Sequence, residues 1–65
     1  MATQRGYFRA ELERSIDNIE MALTHLFRVM EAYQAAHPEI SEQVGMMGNA
    51  LVEIATAIKS LHDSI

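Results

Sequence analysis

The sequence predicts an all-α protein, a two-helix antiparallel hairpin that dimerises into a four-helix bundle, and three observations predict it. Leu12, Ile16, Ile19, Leu23, Leu26, Met30 and Tyr33 recur at alternating spacings of four and three. Ile40, Val44, Met47, Leu51, Ile54, Ile58, Leu61 and Ile65 do the same without interruption. Between the two runs lies Ala35-Ala36-His37-Pro38-Glu39, the one break in the pattern. Alternating threes and fours bring each set onto one helix face, the a/d seam of a heptad repeat.

Helix 1 is predicted over about residues 7–36. Residues 1–6 are small and polar, with Gly6 just before Tyr7 and Phe8, and read as frayed. The interior that follows has no Gly or Pro and is rich in Glu, Leu, Ala, Met and Arg, all good helix formers. At ~1.5 Å per residue such a helix is roughly 45 Å long.

The turn is predicted at 37–38. Pro38 has no N–H and a fixed φ, so it suits the first position of a new helix and cannot continue the old one. Helix 2 then covers about residues 39–64. Glu39 and Glu42 fall in its first turn, where negative charge meets the positive dipole end. Ser41 is a rival N-cap.

Gly45 and Gly48 stand inside the second pattern, where each costs about 1 kcal/mol relative to alanine. Two readings are open. The first turns of helix 2 are loose, with Asn49 starting the firm part; or Gly48, with Ala50, Ala55 and Ala57, lets a neighbouring backbone approach. The unbroken register through Val44 and Met47 favours a continuous helix. On the close-approach reading Gly48→Ala destabilises, whereas Gly45, on the outer side of the heptad, accepts alanine.

Size and composition limit the remaining possibilities. A 65-residue chain makes one domain, and below roughly 70–80 residues a single core rarely supplies more than ~3–5 kcal/mol unaided. With no cysteine in the chain, disulfides and thiolate metal sites are excluded, and oligomerisation is the remedy left. The lack of cysteine also fits a cytoplasmic location. No stretch approaches the ~18 apolar residues of a membrane span, and the first six residues lack the apolar core of a secretory signal. A net charge of −4 with a single lysine, Lys59, argues against nucleic-acid binding.

The dimer is expected because two helices cover each seam on one side only. Phe8, Ala22, Phe27 and Val29 widen the first stripe; Ala50, Ala55 and Ala57 widen the second. Added apolar positions beside a and d belong to bundles rather than two-stranded coils. The expected interface is Leu12, Ile16, Ile19, Leu23, Leu26 and Met30 on helix 1, and Val44, Met47, Leu51, Ile54, Ile58 and Leu61 on helix 2. Arg5, Arg9 and Arg14 cluster near the open end of the hairpin, and Glu31, Glu39 and Glu42 near the turn. Antiparallel hairpins place each basic end beside an acidic turn.

Little in the chain suggests chemistry. His25, His37 and His62 lack the Glu-x-x-His spacing of metal-holding bundles, so no metal or other cofactor is expected. The carboxylates Glu11, Glu13, Asp17, Glu20, Glu31, Glu53 and Asp63 all fall off the seams, and Gly45 and Gly48 lack the Lys and Ser/Thr of a phosphate loop. The chain reads as a non-enzymatic protein–protein interaction module: an adaptor, co-chaperone or small inhibitor. The alternative is a bundle binding a nucleotide or another anion through Tyr7, Arg9, Arg14 and Arg28. Met21, Met46 and Val52 project from outer faces, where adaptable apolar side chains suit a helical protein partner.

Glu20-Met21-Ala22-Leu23-Thr24 with Leu26 resembles the first helix of the small co-chaperones of type III secretion needle subunits, and Ala50-Leu51 and Ala57-Ile58 are similar to their second. That resemblance implies a helical hairpin without a catalytic site, pairing with a helical-repeat chaperone to keep a needle subunit soluble. The Gly45/Gly48 pair and the acidic turn depart from that pattern. Ser60-Leu61-His62-Asp63 is similar to a stretch of the plasmid-copy-number hairpin that binds paired RNA loops, but the cationic face needed for RNA is largely missing here.

Overall fold

The computed structural model describes residues 2–65, with side chains from residue 4 onward. It consists of two helices, α1 (Ala2–Tyr33) and α2 (Pro38–Ser64). They run antiparallel: Glu13 meets His62 near the open end, Leu23 lies against Gly48, and Met30 lies against Gly45 nearer the turn.

α1 begins earlier than the sequence suggests. The expected fraying over residues 1–6 is corrected from Ala2 onward, and Met1 lies outside the described residues. Gly6 has no positive φ, and a nucleated helix extends through one glycine at a cost of about 1 kcal/mol. At the other end α1 stops at Tyr33, not Ala36. The His37 N–H donates to the Tyr33 carbonyl at 2.7 Å, closing a single turn that is not continued.

The His37 carbonyl then accepts from the N–H groups of Ile40 and Ser41 at 3.0 and 3.3 Å. His37 is thus the N-cap residue of α2, with Pro38 at the first helical position and no side-chain capping bond. Ser41 is not the cap. It is buried against α1.

α2 is continuous through both glycines, neither of which has positive φ. The loose segment before Asn49 is therefore not present. The close-approach reading needs correction too. Gly48 is buried, but a Cβ there would sit 3.7 Å from Leu23 Cδ2; at Gly45 it would sit 3.6 Å from Met30 Cε. Both are ordinary van der Waals separations with room for a methyl group. Gly45 also lies against α1 and not on the outside.

The larger correction concerns which side of α2 meets α1. Val44, Gly48, Ala55 and Ser41 are its buried residues. Met47, Ile54 and Leu61, expected in the seam, are 54, 50 and 52 % exposed. The helix has rolled by one seam position. Val44, Leu51 and Ile58 remain in the contact, and the small residues Ser41, Gly48 and Ala55 replace the large ones beside them. The reason is distance: small side chains let the helix surfaces come together, while the large ones fit better on the flank.

The hairpin is one helix layer thick. Its extents are 54 × 15 × 10 Å and its radius of gyration is 15.4 Å, against about 11 Å for a compact domain of this length. Among the described residues no large side chain is fully buried.

Candidate interaction face

The heptad register and the Glu13–His62 contact together distinguish the two long edges of the hairpin. In an antiparallel pair, residues at equivalent flanking positions lie on the same edge. Glu13, Glu20 and Phe27 of α1 therefore share one edge with Ser41, Gly48, Ala55 and His62 of α2. On the opposite side, α1 contributes Phe8, Leu12, Ile19, Ala22, Leu26, Val29 and Tyr33. The matching line of α2 is Ile40, Met47, Ala50, Ile54, Ala57 and Leu61.

These two sides differ in chemistry. The Glu13 edge is buried at Ser41, Gly48 and Ala55 on its α2 line and carries Glu13, Glu20 and the exposed Phe27 on its α1 line. His62 Nε2 lies 3.0 Å from Glu13 Oε1, Nδ1 lies 3.2 Å from Asp63 Oδ1, and the His62 side chain is only 15 % exposed. The opposite side is open and apolar. From Phe8 to Ser64 its two lines hold no charged residue, the polar members being Ser15, Gln43 and Ser64. Met47, Ile54 and Leu61 form an exposed row along it, with Phe8 and Tyr33 exposed towards the two ends.

The expected interface residues consequently divide. Leu12, Ile16, Ile19, Leu23, Leu26 and Met30 are half-buried along α1, and Val44, Leu51 and Ile58 line the α2 side of the same contact. Met47, Ile54 and Leu61 are left facing away from α1. Sequence reasoning missed Ser41 and His62 as contact residues. The signal was present in the seven-residue repeat Ser41, Gly48, Ala55, His62, but hydropathy ranks it below its apolar neighbour.

The other candidate residues do not converge. His25 is exposed on α1, His37 lies in the turn 3.5 Å from Glu39, and His62 is at the far end of α2. Among the described residues no group of three or more His, Cys, Asp or Glu side chains is placed to hold a metal ion. Arg14 is engaged by Glu11 at 2.6 Å and stands about 21 Å along α1 from Arg28. Tyr7 packs edge-on against Phe8 with ring centres 5.7 Å apart. Thus the anion-binding set is dispersed. Met21, Met46 and Val52 are exposed as expected, but on different helix faces.

No helix of the described residues is long and apolar enough to cross a membrane. Comparison with protein-family models, with curated proteins and with solved structures finds no match to this chain.

Proposed function

We propose that this protein is a non-enzymatic interaction module whose hairpin self-associates through the open apolar side, forming a four-helix bundle. The observation that carries this reading is the exposed row Met47, Ile54 and Leu61 on a side free of charge from Phe8 to Ser64. A stable domain packs two layers of secondary structure around one core, and this hairpin is a single layer.

A second copy is the occupant that these features favour. The face extends over the full hairpin, so an identical face matches it in length and in the apolar character of its lines from Phe8 to Ser64. Covering the exposed half of Met47, Ile54 and Leu61 contributes about 1 kcal/mol each, and in a symmetric dimer every such residue counts twice. The His62 edge has one large exposed apolar side chain, Phe27, in line with Glu13 and Glu20, and so no continuous apolar row.

In the cell such a bundle acts as an adaptor, a co-chaperone or a small inhibitor. A co-chaperone of the kind that α1 resembles would present the same row to a different helical protein. Light scattering at micromolar concentration separates the two. Self-association is expected to double the 7.3 kDa chain mass. A species of 7.3 kDa alone, with a sharp thermal transition, would overturn it.

A further inference from the structure

We infer that the second copy docks antiparallel, with the open end of each hairpin over the turn of the other; this rests on the self-association reading above.

The structure supplies the charge pattern behind this orientation. Because α1 begins at Ala2, Arg5 lies within the helix, exposed, in the same register line as Leu12, Ile19 and Leu26. It is the one charged residue in the lines that make the open side. The acidic residues near it are already occupied within the chain. Glu11 holds Arg14 at 2.6 Å, and Glu13 and Asp63 face the two nitrogens of His62. Among the described residues Arg5 and Arg9 form no ion pair, and at the other end neither Glu31 nor Glu42 does.

The ion pairs within the chain thus leave Arg5 and Arg9 without a carboxylate partner at the open end, and Glu31 and Glu42 without a basic partner near the turn. A parallel dimer gathers Arg5 and Arg9 of both copies at one end and Glu31 and Glu42 of both at the other, so that like charges repel at each end. An antiparallel dimer sets Arg5 and Arg9 over the acidic turn. The waist agrees with a central dyad. Ala22 and Ala50 lie midway along the open side, with the bulky Phe8 and Tyr33 towards opposite ends.

Spin labels read the orientation directly, and the absence of native cysteine makes single-cysteine variants unambiguous. Gln43 and Ser64 are both exposed, lie on the open side and sit near opposite ends of α2. Gln43→Cys and Ser64→Cys, labelled separately, are each measured by pulsed dipolar spectroscopy, with light scattering on the same samples. The antiparallel dimer is expected to give like-label distances that add up to roughly 60 Å over the two sites, twice the helical rise between the two positions, with their ratio set by where the dyad falls. A parallel dimer gives roughly 15–20 Å at both, the diagonal of a bundle with 8–10 Å between axes. That result would overturn the orientation while self-association stands.

Should a label perturb docking, oxidising the unlabelled cysteine variants tests the same geometry. Crosslinked dimer is expected from an equimolar mixture of the two and not from either alone. A dimeric mass without preferential crosslinking in the mixture overturns the orientation, since like sites on the diagonal of a parallel dimer are too far apart for a disulfide. A monomeric mass for the unmodified chain, with no crosslink in any sample, shows instead that self-association itself fails.

Discussion

His62 and Glu13 tie the two helices together near their open end, with Nε2 donating to Oε1 at 3.0 Å across 49 positions of sequence. The two partners differ in what they bury: the histidine side chain is 15 % exposed and the glutamate 62 %. His62→Ala therefore removes covered surface as well as the hydrogen bond, and is expected to destabilise by about 1–2 kcal/mol. Glu13→Ala loses only an exposed partner, worth about 0.2–1 kcal/mol. Urea melts at one protein concentration compare them. An equal or larger loss for Glu13→Ala would show that the bond, not the packing of the ring, holds this end.

Gly45 and Gly48 offer a second test. Their positions for a Cβ clear Met30 and Leu23 by ordinary contact distances, and neither backbone is in the left-handed region. Alanine at either site should stabilise the protein by roughly 0.5–1 kcal/mol through helix propensity and reduced unfolded-chain entropy. Destabilisation by Gly48→Ala in denaturant melts would mean that the helices pack more tightly there than the measured separation allows.

Val52 and Ile54 are matched in exposure, at 49 and 50 %, yet they lie on different sides of the hairpin. If the open side is the dimer interface, Ile54→Asp places an unpaired charge in a desolvated contact and should abolish association. Val52→Asp should change stability by about 0.5 kcal/mol or less, as surface substitutions generally do. Light scattering on the two variants decides the point. Equal, mild effects would remove the open side from consideration.

Association should also appear in thermal melts. Because a dimer is linked to folding by mass action, its melting temperature rises with protein concentration. A hundredfold dilution series followed by circular dichroism is expected to show that rise in the unmodified chain. A constant midpoint would identify the single hairpin as the folding unit.

Two helices and their seams were legible in the sequence, because a spacing of threes and fours leaves a chain of good helix formers little alternative. Pro38 located the turn, since it lacks an N–H and cannot continue a helix. The ends were less legible. Gly6 marked a false start for α1, and the turn at His37 depends on backbone bonds to Tyr33, Ile40 and Ser41 that no side chain announces. In the candidate face, the large apolar members could be named from periodicity, but their partners could not.

What the sequence by itself determined was that Val44, Leu51 and Ile58 share a face of α2 and that this face is apolar. Only the tertiary structure decided how that face turns towards α1. Met47, Ile54 and Leu61 lie on one flank of those residues, and Gly48, Ala55 and His62 on the other, so a modest roll of the helix exchanges one row for the other. Transfer free energy favours burying the large row, whereas close approach of two helices favours small side chains at the contact. In a lone hairpin the second preference prevails, and the large row is left on the open side.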